Sequence, residues 1–193
     1  MCKNKEEDIK LLYAGPVQMI GEQGANLESV MEFIMPEDFN KNGEKDAVLL
    51  NYHVLSEMQI KDIETQTDAA GNRGYVDRNR NVSNNEDFYK YIQTGDAAIC
   101  FVDLSIYENL RKHDRLLELS EALGYSYEGS ADGYGIKLGD TDIYASYGAL
   151  RILPEDTVVC ILRPLVAGKT SKPEMYAYEK SMFKAIVEFK TEK

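Results

Sequence analysis

Tryptophan is absent from this 193-residue chain, histidine occurs twice, cysteine three times and proline five times, and each shortage removes a class of explanation. Two histidines, His53 and His113, are a thin basis for acid–base or nucleophilic chemistry, since imidazole is the usual proton carrier near neutral pH. Neither sits in a nucleophile elbow or a Cys/His signature, and they read as a strand-end and a helix-end residue. A non-enzymatic protein is expected. Cys2, Cys100 and Cys160 lack ligand spacing, so neither a disulfide framework nor a zinc site follows, and no metal or cofactor is expected. Positive charge is also scarce, with 22 Lys and Arg against 33 Asp and Glu and a net charge of −11. That balance excludes nucleic acid as a main partner, because phosphate backbones are held by clustered cations.

Long apolar runs are missing too: no stretch approaches the roughly 20 residues of a membrane span, and "MCKNKEED" lacks the apolar core of a signal peptide. The charged lead that reaches its first strand by Ile9 suits the soluble part of a longer protein cut just after an anchor. Cys2 admits a reading as the acylated cysteine of a lipoprotein whose signal has been replaced by a start Met, although a lone terminal Cys is more often incidental.

What is present is a set of four short, nearly continuous apolar runs: "IKLLYAG" (9–15), "AVLLNYHVL" (47–55), "AAICFVD" (97–103) and "TVVCILRPL" (157–165). Such runs suit strands covered on both faces, and helical segments lie between them. The fold class expected is α/β, a mostly parallel sheet flanked by helices, in one domain over 9–193. Cys100 and Cys160 fall inside two of these runs and read as small buried hydrophobes.

Helix starts are marked by four Ser-x-x-Glu/Gln pairs, Ser56 with Gln59, Ser83 with Glu86, Ser105 with Glu108 and Ser171 with Glu174, each in the capping-box pattern. Further helices are expected over 24–35 and 114–123, the second stopped by Gly124, and a closing helix of about five turns ends the chain. Residues 64–86 and 124–148 read as loops. The first is a polar excursion carrying Arg73, Arg78 and Arg80, a possible anion trap or a solvated face; the second mixes five Tyr with six Gly. Its tyrosines, Tyr134 among them, offer an aromatic platform for a sugar or peptide, or simple cover for the core. "DFNKNGEKD" (38–46) imitates a calcium loop but has Leu49 where the bidentate Glu belongs, so an Asn-Gly turn is expected.

Ligands of open α/β sheets bind outside the carboxyl ends of the strands. Here those ends offer Tyr13 with Gly15 and Pro16, Tyr52 with His53, Asp103, and Arg163. These are the candidate ligand-binding residues, with Tyr134 added from the tyrosine-rich segment. Asp103 is ambiguous, because a carboxylate at a strand-to-helix junction either meets a ligand or caps the helix.

The succession "IKLLYAGP", "PEDFNKNGEKDAVLLNYHVLS" and "FYKYIQTGDAAICFVDLSIYENLRKHDRLLELSEALGY" resembles the first lobe of type II extracellular solute-binding proteins of ABC transporters. With "DGYGIKLGDTDIY" and "LPEDTVVCILRP" added, the closer likeness is to a group of membrane-anchored proteins of clostridia-like Gram-positive bacteria. The resemblance spans most of residues 9–190 and implies an extracytoplasmic domain on one lobe of a periplasmic-binding-protein-like scaffold, held at the cell surface by an N-terminal anchor. The partners it implies are a small solute, sugar or peptide, or else a membrane protein complex such as an exporter that uses the domain as an assembly module. Full solute-binding proteins close two lobes on the ligand, and 193 residues leave too little for the second.

Overall fold

A computed structural model describes residues 7–191, and Cys2 lies outside them. In chain order the elements are β1 (Ile9–Gly15), α1 (Gly21–Ile34), β2 (Ala47–His53), α2 (Glu57–Thr65), α3 (Arg78–Ile92), β3 (Ile99–Val102), α4 (Leu104–Lys112), α5 (Leu119–Leu123), β4 (Gly135–Lys137), α6 (Asp142–Ser146), β5 (Val158–Ile161) and α7 (Pro173–Val187). The fold is α/β, a five-stranded sheet in the order β2-β1-β3-β5-β4 flanked by helices. β1 is parallel to both β2 and β3, as helical crossovers demand. β5 runs against its neighbours β3 and β4, so four strands point one way and one is reversed.

Alternation along the strands feeds two cores. Leu11, Tyr13, Leu49 and Phe101 meet Leu27 and Met31 of α1 on one face. On the other, Tyr52 packs edge-on against Phe88 of α3, and Tyr107 of α4 approaches Val158 across Gly135. All four residues of β3 and all four of β5 are buried, which is why these strands read as unbroken apolar runs with no polar face.

Five expectations are corrected. The run at 157–165 is a strand only over Val158–Ile161, and it is antiparallel. Apolar continuity reveals burial, not direction. Of the four Ser boxes only Ser56 with Gln59 caps a helix; Asp77 caps α3, Asp103 caps α4, and Lys172 precedes α7 without a side-chain cap. Ser83 lies inside α3, whose first turns are largely polar and so carry no apolar period; α3 takes up 78–86 of the expected 64–86 loop. Residues 124–148 hold β4 and α6, while the helix expected over 114–123 shrinks to α5, because Leu116 instead bridges Leu162 beside the sheet. Gly124 does end α5 in the left-handed conformation.

Candidate functional site

Strand direction defines two edges of the sheet: the carboxyl edge, where β1, β2 and β3 end, and the amino edge, where they begin. At the carboxyl edge the first three candidates are structural. Tyr13 is fully buried; its hydroxyl accepts the Val17 N–H at 3.0 Å and burial pushes its pKa up to about 12. Gly15 is required by that ring, because a Cβ there would stand 2.7 Å from the Tyr13 hydroxyl oxygen. Asp103 is the helix cap: its Oδ1 accepts the Ser105 N–H at 3.0 Å and the Ser105 hydroxyl at 2.6 Å, and its Oδ2 accepts from Gln59 Nε2 at 3.0 Å. Its carboxylate thus ties α4 to α2, and Ser105, expected to cap, serves the capping residue.

Beside these turns lies a cleft of about 280 Å³ that includes the next two candidates, Pro16 and His53. Its apolar wall is Leu55, Ile63, Tyr75 and Val76, and its polar groups are Gln18, His53, Asp77, Arg80, Asn81 and Asn84. The two asparagines build the wall and are largely spent on it. Asn81 accepts the Leu55 N–H at 2.7 Å and donates to the Leu55 carbonyl at 3.0 Å, while Asn84 donates to the His53 carbonyl at 2.8 Å. These bonds peg the β2–α2 junction to α3 and fix the backbone that carries His53. Asp77 is used as the α3 cap, accepting the Arg80 N–H at 3.0 Å. Gln18, the His53 ring and the Arg80 guanidinium have no hydrogen-bond or ion-pair partner among the described residues, and they are the polar groups of the cleft left uncommitted.

Exposed apolar side chains stand along the same edge as the cleft. Ile20 before α1, Met58 in the first turn of α2, Tyr75, Val82 early in α3 and Leu104 at the start of α4 are all exposed, Tyr75 by 84%. They stand where helices begin after the parallel strands, so they share the carboxyl edge.

The remaining candidates, Tyr134 and Arg163, are at the amino edge, and the expected placement of Arg163 with Asp103 is corrected. Because β5 is reversed, Arg163 after its end lies near the start of β3, and Tyr134 precedes β4, which runs with β3. The Arg111 guanidinium stacks 3.6 Å from the Tyr134 ring centroid, and the Tyr134 hydroxyl donates to Glu118 at 2.9 Å. Arg163 pairs with Asp114 at 3.3 Å. The Tyr134 face offered as a platform for a sugar or peptide is therefore occupied by a guanidinium.

Other charged candidates resolve into local structure. Arg78 pairs with Glu64 at 2.8 Å and Glu57 at 3.3 Å, tying α3 to α2. In the 38–46 turn Asp38 accepts the Gly43 N–H at 2.7 Å and Asn42 accepts the Glu44 N–H at 2.9 Å, the side-chain-to-backbone pattern of an Asx turn. Of the cleft residues that the sequence left unassigned, only Arg80 carried a signal, as one of three arginines in the polar excursion. Gln18, Leu55, Ile63, Tyr75 and Asn84 carried none, because a cleft wall is made by three segments distant in sequence. No family model matches this chain, and neither curated proteins nor solved structures provide a match.

Proposed function

We propose that the chain is a non-enzymatic recognition domain of the cell envelope that takes a small solute, a sugar or short peptide, in the carboxyl-edge cleft. The observation that carries this reading is the conjunction, in one concavity at the strand ends, of an apolar wall with three uncommitted polar groups, Gln18, His53 and Arg80. At about 280 Å³ the cleft is at the small end of ligand pockets and suits a monosaccharide or a dipeptide. The extracytoplasmic placement rests on the resemblance in sequence. No helix among the described residues is long and apolar enough to cross a membrane, so on this reading an N-terminal anchor makes the attachment.

A thermal-shift panel of sugars, amino acids and short peptides tests it, since a ligand at 100 times its Kd stabilises the native state by about 2.7 kcal/mol. The expected result is a rise for one chemical class that Arg80→Ala or His53→Ala removes. A rise that survives both substitutions places the ligand elsewhere and overturns the assignment to this cleft.

The exposed apolar side chains favour a second reading, an assembly module that docks on a membrane protein complex such as an exporter. Five exposed apolar side chains on one edge are what a covered surface would supply. A panel without any shift, together with loss of co-purification with an envelope complex on Met58→Asp and Leu104→Asp, would establish it over the solute reading.

A further inference from the structure

Cys100 and Cys160 are the two cysteines of the described residues, and the sheet sets them directly opposite each other on β3 and β5. The Leu162 N–H donates to the Ala98 carbonyl at 2.8 Å, which makes Ala98/Leu162 a hydrogen-bonded antiparallel pair. Pair types alternate along the ladder, so two residues on, Cys100/Cys160 is of the same type, with Cα atoms about 5.5 Å apart and side chains on one face. A disulfide requires about 4.4–6.8 Å. Both side chains are fully buried, on the face that carries Tyr107 of α4. Cys100 Sγ lies 3.8 Å from the Ala98 carbonyl oxygen, with the Cys160 thiol beside it.

We infer that Cys100 and Cys160 are a covalent pair in waiting, a cross-strand disulfide site that closes when the chain folds in the presence of a disulfide donor. In the step, the thiolate of one cysteine attacks the donor disulfide to give a mixed disulfide and release one donor thiol. The second cysteine, as thiolate, then attacks the protein sulfur of that bond and releases the other. The two cysteines are oxidised, the donor is reduced to two thiols, and the two protons from the cysteines pass to the released donor thiolates or to solvent.

Timing follows from burial. In the finished sheet neither sulfur reaches a donor, and burial pushes the Cys100 thiol well up, so that its thiolate is strongly disfavoured. Exchange therefore belongs to the interval before β5 docks on β3, and the closed bond is then shielded from reductants by the same packing. The bond would enclose about 60 residues, from α4 to the start of β5, a long loop of the kind that gains most from closure.

The test uses full-length protein carrying Cys2→Ser, unfolded and reduced, then refolded with and without oxidised glutathione. After denaturing alkylation, intact mass and peptide mapping read the pairing. The expected result is a closed Cys100–Cys160 product that keeps native near-UV circular dichroism and melts about 5–10 °C above the reduced form. Reduced protein that is already folded should resist both the oxidant and a thiol reagent. The inference is overturned if refolding with the donor leaves both thiols alkylated, or if the closed product lacks native circular dichroism. The same Cys2→Ser protein carrying also Cys100→Ser and Cys160→Ala, refolded in parallel, should show neither the mass change nor the melting shift; a shift there assigns it to the donor and overturns the inference equally.

Discussion

The two edges of one sheet have opposite characters. At the amino edge several charged groups are drawn into clusters: Arg111, Tyr134 and Glu118 form one, Arg163 and Asp114 another, and Glu7 pairs with Lys10 at 3.0 Å and Lys169 at 3.1 Å. Burial alone would raise the Glu7 pKa, but hydrogen bonds from the backbone and from both lysines outweigh it and hold the carboxyl down at about 2. At the carboxyl edge Asp103 and Asp77 are consumed by helix starts, yet Gln18, His53 and Arg80 remain uncommitted beside exposed apolar side chains. On the reading proposed above, the first edge spends its polar groups on the fold itself and the second keeps some for a ligand.

The largest expected effect tests how tightly the amino edge is sealed. Gly168 has φ 82° and ψ −172°, a region open in practice only to glycine, and a Cβ there would stand 1.9 Å from the Thr94 carbonyl oxygen. Gly168→Ala should cost on the order of 4 kcal/mol in urea unfolding. A cost below 1 kcal/mol would show that the 94–95 and 167–168 segments are not locked together.

Glu179 on α7 is a buried amino-edge carboxyl whose Oε2 has no hydrogen-bond partner among the described residues. Burial pushes its pKa from 4.5 up to about 8, against the backbone N–H groups of Ala98 and Ile99, which favour the charged form. The folded state thus holds the proton more tightly than the unfolded chain. Stability is fully present below pH 4.5, falls as pH rises toward 8, and then levels off as far as this group is concerned. Glu179→Gln should flatten that fall and raise stability at pH 9 by about 2–4 kcal/mol. An unchanged pH profile would mean that α7 gives the carboxylate water or a cation.

Smaller again, Asp103→Ala should cost about 1 kcal/mol through the lost cap and the lost tie to Gln59. An unchanged melting temperature would return Asp103 to the list of ligand groups. Smallest on stability, Arg80→Ala should shift unfolding by less than about 0.5 kcal/mol, as for an exposed and unpaired side chain. A larger loss would show that Arg80 belongs to the scaffold, and the contrast between the edges would weaken.

Much of this division was legible in the residues, and where it was not the cause is local. β1 stands where the run Ile9 to Gly15 placed it, since burial on both faces leaves a continuous apolar signature. The same signature misled at β5: Val158 to Ile161 reads alike in either direction, and a reversed strand carries Arg163 to the far edge. β4 was missed because three residues between glycine and a turn are too few for a period. Ser83 and Ser105 drew attention from Asp77 and Asp103, since a capping box is a pattern of four residues and any Asp just upstream can pre-empt it. Pro16 and His53 were found by the strand-end rule, which concerns topology; Tyr75 and Asn84 were not, since nothing local in a chain announces which distant segment will wall a cleft.

The reversed strand has a consequence for how the protein is made. β5 is the last of these five strands to leave the ribosome, yet it belongs in the interior of the sheet, between β3 and β4. Until residue 158 has emerged, β3 is an open edge and β4 has no strand to pair with. For the time needed to translate about 55 residues after β3, at roughly 5–20 residues per second, a fully apolar strand edge stands exposed and invites pairing with other chains. A chaperone that covers nascent apolar segments would therefore act on β3 first, and chains truncated before residue 158 should aggregate while the full chain stays in solution.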